Sequence, residues 1–209
     1  MDTVERWTGP LLLVGGAMYV VASLIHPYGN TSRNVLEPLW VPAHVVEYVA
    51  ITAILLGLVG WYSRFSSSLG TLGTIGFLLS LLGAAAGSGY VLVNCVLLRP
   101  YMAASSVSLD QDLLKDGAYL AATLLIFLTF IAGYLVLSVA FVRARVLPRW
   151  VLWLVALQIA SIGSFFGGTT TYAPVLIGEA LFGVSVAGWG FAVLSTRSRV
   201  ESSDGSEAR

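Results

Sequence analysis

The chain has 209 residues, 57% of them hydrophobic and 11% charged, with a mean hydropathy of +0.85 and a formal net charge of zero. A soluble domain carries about 25% charged residues, and a soluble chain this short has more surface than so few polar groups can cover. Composition therefore argues against a soluble fold, and the neutral balance gives nucleic acid nothing to hold.

Six apolar segments follow one another, each near the ~20 residues that a helix needs to cross a hydrocarbon core of about 30 Å. They span approximately 8–27, 41–62, 71–98, 117–142, 150–167 and 175–196. The first resembles a signal peptide only in position, because its leading MDTVER holds two acidic residues against one arginine. Breaks fall at HPYGNTSRNVLEP, SRFSSSLG, RPYMAASSVSLDQDLLKD, RARVLPR and GGTTTYAP. The apolar runs are continuous, with no alternation of period two, which argues against a β-barrel. The expected fold is all-α, a polytopic transmembrane bundle of six helices in one domain, 1–196. The polar remainder, 197–209, lacks an apolar face and is expected to be disordered.

Orientation follows from arginine and lysine in the short loops. With the N-terminus inside, the inner segments hold Arg6, Arg64, Arg143, Arg145, Arg149, Arg197, Arg199 and Arg209, and the outer ones only Arg33, Arg99 and Lys115. Both termini are expected in the cytoplasm and the chain in the cell (cytoplasmic or inner) membrane. The sequon Asn30-Thr31-Ser32 then faces out.

Both histidines flank the first outer loop. His26 ends the first helix and His44 opens the second, with Glu47 one turn deeper on the same face. Glu179 lies about five residues into the sixth helix, ~8 Å deep, and Glu47 at a similar ~9 Å. Asn94 sits near the outer end of the third helix. A charged side chain inside a membrane helix costs about 2.5–3.5 kcal/mol even on a lenient scale, so it faces protein or water. The two glutamates are therefore expected to share one outward-opening pocket with His26, His44 and Asn94. Polar stripes lead to it: Tyr19, Ser23 and His26; His44, Glu47, Tyr48 and Thr52; Ser80, Gly83, Gly87, Tyr90 and Asn94. Such stripes equally mark ordinary helix interfaces.

Several chemistries fit these residues. His26, His44, Glu47 and Glu179 can bind a divalent metal such as zinc, which lowers the pKa of bound water toward about 7, with Glu47 as general base of a membrane-embedded hydrolase. The pocket can instead take a small polar ligand. Haem ligated by His26 and His44 leaves both glutamates unexplained. A proton-coupled small-molecule transporter would use Glu47 and Glu179, with Gln158 the main polar group at mid-depth. In a non-catalytic subunit or assembly factor, the cluster would only lock helices together. Partners beyond the lipid bilayer, a second copy or a membrane complex, would use the Gly83/Gly87 or Gly163/Gly167 faces. Cys95 is alone and reads as a small buried apolar residue. Asp110, Asp112 and Asp116 lack the glycine and final glutamate of a calcium loop.

The loop RARVLPRW, Arg143 to Trp150, precedes a glycine-containing fifth helix. From here on the chain resembles a loose group of six-helix prokaryotic integral membrane proteins with no assigned activity. The resemblance implies a six-helix prokaryotic protein and supplies no active site.

Overall fold

The computed structural model describes residues 3–28, 33–104, 117–167 and 173–207, and every regular element among them is helical. The sequon at 30–32, the acidic residues 110–116 and most of the GGTTTYAP break lie outside the described residues. In chain order the elements are α1 (Thr3–Ile25), a 3-10 turn (Asn34–Leu36), α2 (Trp40–Tyr90), a π-helical segment (Val91–Leu97), α3 (Arg99–Ala104), α4 (Gly117–Ala144), α5 (Val151–Gly167) and α6 (Ala173–Glu207).

A straight helix from Trp40 to Cys95 would be about 82 Å long. Yet the Trp40 indole Nε1 donates to the Cys95 carbonyl at 2.8 Å. The chain reverses at Gly70, whose φ of 60° and ψ of −162° are non-helical. No atom lies within 4 Å of where a Cβ would stand there, so the requirement for glycine is conformational, a positive φ that side chains disfavour. Limbs 40–69 and 71–90 thus form an antiparallel hairpin. Tyr62 stacks on Phe77 at 4.1 Å, and its hydroxyl shares a 2.8 Å hydrogen bond with Thr74.

Four helical stretches are long and apolar enough to cross a membrane: Arg6–Ile25, Trp40–Leu97, Leu120–Ala144 and Ala173–Ser195. The second of these is the doubled one. The sequence predicts six separate spans, and the structure departs from this in detail. SRFSSSLG is not a loop, since helix continues to Leu69 and Gly70 alone makes the turn. The expected fifth span, α5, has 17 residues and rises only about 25 Å. The expected third ends in the π-segment, where the Leu98 amide bonds back to the Val93 carbonyl at 2.9 Å. Helix α6 continues to Glu207, through the polar segment read above as a disordered tail.

Glycines let the helices approach closely, backbone to backbone. A Cβ on Gly133 of α4 would stand 2.2 Å from the Ser80 nitrogen of the second limb, and one on Gly83 would stand 2.4 Å from Phe130. Between α1 and α6, a Cβ on Gly16 would reach the Ala187 nitrogen at 2.4 Å and one on Gly190 the Leu13 nitrogen at 2.4 Å. Gly87 and Gly163 meet nothing within 4 Å. The expected Gly83/Gly87 face is thus already half used inside the bundle.

Aromatic rings fill the centre. Trp61 stacks on Phe141 at 3.9 Å and leans on Trp189 at 4.7 Å, joining the first limb, α4 and α6. Phe182 of α6 lies edge-on to Tyr134 of α4 at 4.8 Å and to Tyr19 of α1 at 5.3 Å.

Candidate functional site

The α1 C-terminus, the α2 N-terminus, the π-segment and the α6 N-terminus meet at one end of the bundle, the histidine end. Its lid is short and tied down. Val35 of the 3-10 turn is fully buried against Trp40, Cys95 and Met102, and the Arg99 Nε donates to the Val35 carbonyl at 3.0 Å. Trp40, four residues before His44, is buried and packs its ring 4.3 Å from His44 and 5.5 Å from His26.

The imidazoles face each other. His26 Nε2 lies 3.2 Å from His44 Nε2. Each Nδ1 is 2.7 Å from a backbone carbonyl, Pro27 for His26 and Trp40 for His44. A carbonyl only accepts, so both Nδ1 atoms carry hydrogen. Three contacts then need three protons, and two neutral imidazoles supply two. His26, just beyond the end of α1, has its pKa lowered by burial, against an upward pull from the Pro27 carbonyl and the Glu37 charge. The neutral pair therefore leaves two lone pairs opposed across 3.2 Å. A proton shared between them would relieve that opposition, with the Trp40 face to stabilise the cation.

The carboxyls form a second group, about one turn deeper. Glu47 and Glu179 lie about 10 Å and 9 Å in from the first residues of α2 and α6. Both are half-buried and near enough to interact electrostatically. The Tyr19 hydroxyl donates to Glu47 Oε1 at 3.4 Å, longer than an ordinary O–H···O bond. The Ser23 hydroxyl lies within hydrogen-bonding reach of Glu179, yet its proton already goes to the Tyr19 carbonyl at 2.9 Å. Among the described residues, no arginine or lysine interacts with either carboxyl.

These placements lend the metal expectation no support. Among the described residues, no three His, Cys, Asp or Glu side chains gather into a set able to hold a metal ion. His26 and His44 point at each other, while Glu47 and Glu179 turn to Tyr19 and Ser23. The i, i+3 spacing of His44 and Glu47 puts them on one face without aiming them at one point. Haem fits no better, since an iron bridging both imidazoles needs an N···N separation of about 4 Å, two bonds of ~2 Å each.

Of the other expected lining residues, Tyr19 and Ser23 are in the cluster. Tyr48 packs on the main core, with its carbonyl bonded by Thr52. Tyr90 sits between the main core and the lid. The Asn94 side chain lies outside the described residues. Comparison with known protein families, with curated proteins and with solved structures finds no match.

Proposed function

We propose that the chain is a multi-pass membrane protein that binds a small cation in exchange for protons at its histidine end, as a proton-coupled transporter does. The observation that carries this is a shortage of positive charge. Two carboxyls from distant helices converge on hydroxyls, with no arginine or lysine interacting with them among the described residues, beside an imidazole pair whose Nε2 atoms face each other. Ions in so apolar a setting must be neutralised or paired. A proton or a small cation meets that need at both groups. The arginine bias of the opposite end, Arg143, Arg145 and Arg149 among them, favours placing the histidine end outside a cytoplasmic membrane.

The exchange is testable directly. Sodium or methylammonium chloride added to the purified protein in lightly buffered detergent should release up to about one proton per chain. Glu179→Gln should abolish the release. No release with either cation, from a folded protein, would leave a helix-locking role in its place.

A further inference from the structure

We propose that the bundle holds a second site, at mid-depth, where a single water molecule is bound between Tyr134 and Gln158. Tyr134 lies about 21 Å from Leu120 and about 15 Å from Ala144 by helical rise, so the site is far from either end of that span. A cavity of about 20 Å³ lies between α4, α5 and α6, with Phe130, Leu135, Ile162 and Phe182 in its walls. One water needs about 10–15 Å³ on this measure, so the space takes one such molecule and little more.

Two polar groups border the cavity with their hydrogen bonding incomplete. Tyr134 is 3% exposed and Gln158 2%. The Tyr134 hydroxyl and the Gln158 Nε2 are buried with no hydrogen-bond partner among the described residues. A polar atom left so in a low-dielectric interior is costly, and buried water is the usual remedy.

Proton counting selects the ligand class. The Ser138 hydroxyl touches both the Tyr134 carbonyl, at 2.6 Å, and the Gln158 amide oxygen. It has one proton to give. If the proton goes to the carbonyl, Gln158 meets Ser138 best with its N–H end, and its oxygen is the group lacking a partner. If the proton goes to the amide, the N–H end lacks one. A ligand that both donates and accepts serves either arrangement and also satisfies the Tyr134 hydroxyl. A carbonyl-bearing lipid cannot do so.

Tyr134 also interacts electrostatically with Tyr19, and both rings pack on Phe182. The bound water would thus extend the polar chain from Glu47 and Tyr19 to the middle of the bundle. That role rests on the proposed cation site, whereas the water site itself does not.

The test uses the purified full chain. Infrared spectra recorded in ordinary and 18O-labelled water should show an isotope-shifted O–H stretch from an internal water in the wild type, lost in Gln158→Leu. Tyr134→Phe and Gln158→Leu should each lower the Tm by a few degrees, and the double variant by less than their sum, because a shared water couples them. Tyr134→Phe raising the Tm would mean a dry, orphaned hydroxyl and would overturn the proposal. So would additive losses, or a wild type without the isotope-shifted band. None of these readouts depends on cation binding at Glu47 and Glu179.

Discussion

The two ends of this bundle solve opposite problems with the same helices. Toward the opposite end, α1, α4 and α6 meet their neighbours through glycines and a stack of Trp61, Phe141 and Trp189, where close contact is the whole interaction. At the histidine end, α1, α2 and α6 bring carboxyls and imidazoles together, and among the described residues no arginine or lysine interacts with the carboxyls. The aromatic region is built for stability. On the proposed reading, the polar region gives up stability for a cation it binds and releases.

That contrast fixes the sign and size of several outcomes. The largest effect is expected from Trp61→Ala, which leaves a cavity at the meeting of three helices. Its cost should be about 3 kcal/mol, the low end for such truncations, since in lipid the transfer contribution is small and the cavity remains. Denaturant unfolding in mixed micelles measures it. Next comes Gly133→Ala, which pushes a methyl into the Ser80 backbone and should cost about 1–3 kcal/mol. Gly163→Ala, with open space around it, should leave the Tm unchanged. If the two glycines behaved alike, close backbone approach would not be what holds this region.

Effects at the histidine end should be smaller and of different kind. Glu179→Gln removes a carboxylate that lacks a basic partner, so its Tm should be equal to or above that of the wild type while proton release is lost. A marked fall in Tm would make this end a lock like the other. Chelation with EDTA should change neither stability nor proton release, because among the described residues no three His, Cys, Asp or Glu side chains gather into a set able to hold a metal.

The smallest effect concerns pH. Burial lowers the His26 pKa, so the unfolded chain takes up a proton more readily. Stability is then complete above the ordinary histidine value of about 6.5 and declines as pH falls below it. The extra hydrogen bond to His44 offsets part of that loss, so the decline in Tm should be shallow. His26→Gln should flatten it further.

Much of this architecture can be read from the sequence. Apolar run lengths give the helices, and the matching depths of Glu47 and Glu179 bring those two residues to one place. The hairpin turn is legible as falling within SRFSSSLG, but its extent is not, because Ser63 to Ser68 reads as a loop. In the structure these serines continue a helix whose Trp61 and Leu69 are buried in the core, and only Gly70 breaks it. The aim of the side chains is hidden for a related reason. Helical spacing assigns His44 and Glu47 to one face, whereas rotamers and the Trp40 carbonyl decide that the imidazole turns to His26 and not toward Glu47. A four-ligand metal site thus looked plausible from spacing, and separate imidazole and carboxyl groups resulted.

The most direct measurement of the central claim is thermal unfolding of the wild type, Glu47→Gln and Glu179→Gln, each with and without saturating sodium or methylammonium chloride, using an equal ionic strength of a bulky organic salt as control. A cation site between the carboxyls predicts that the small cation raises the Tm of the wild type and of neither variant. Wild type and variants responding identically, or variants that unfold well below the wild type in every salt, would contradict it.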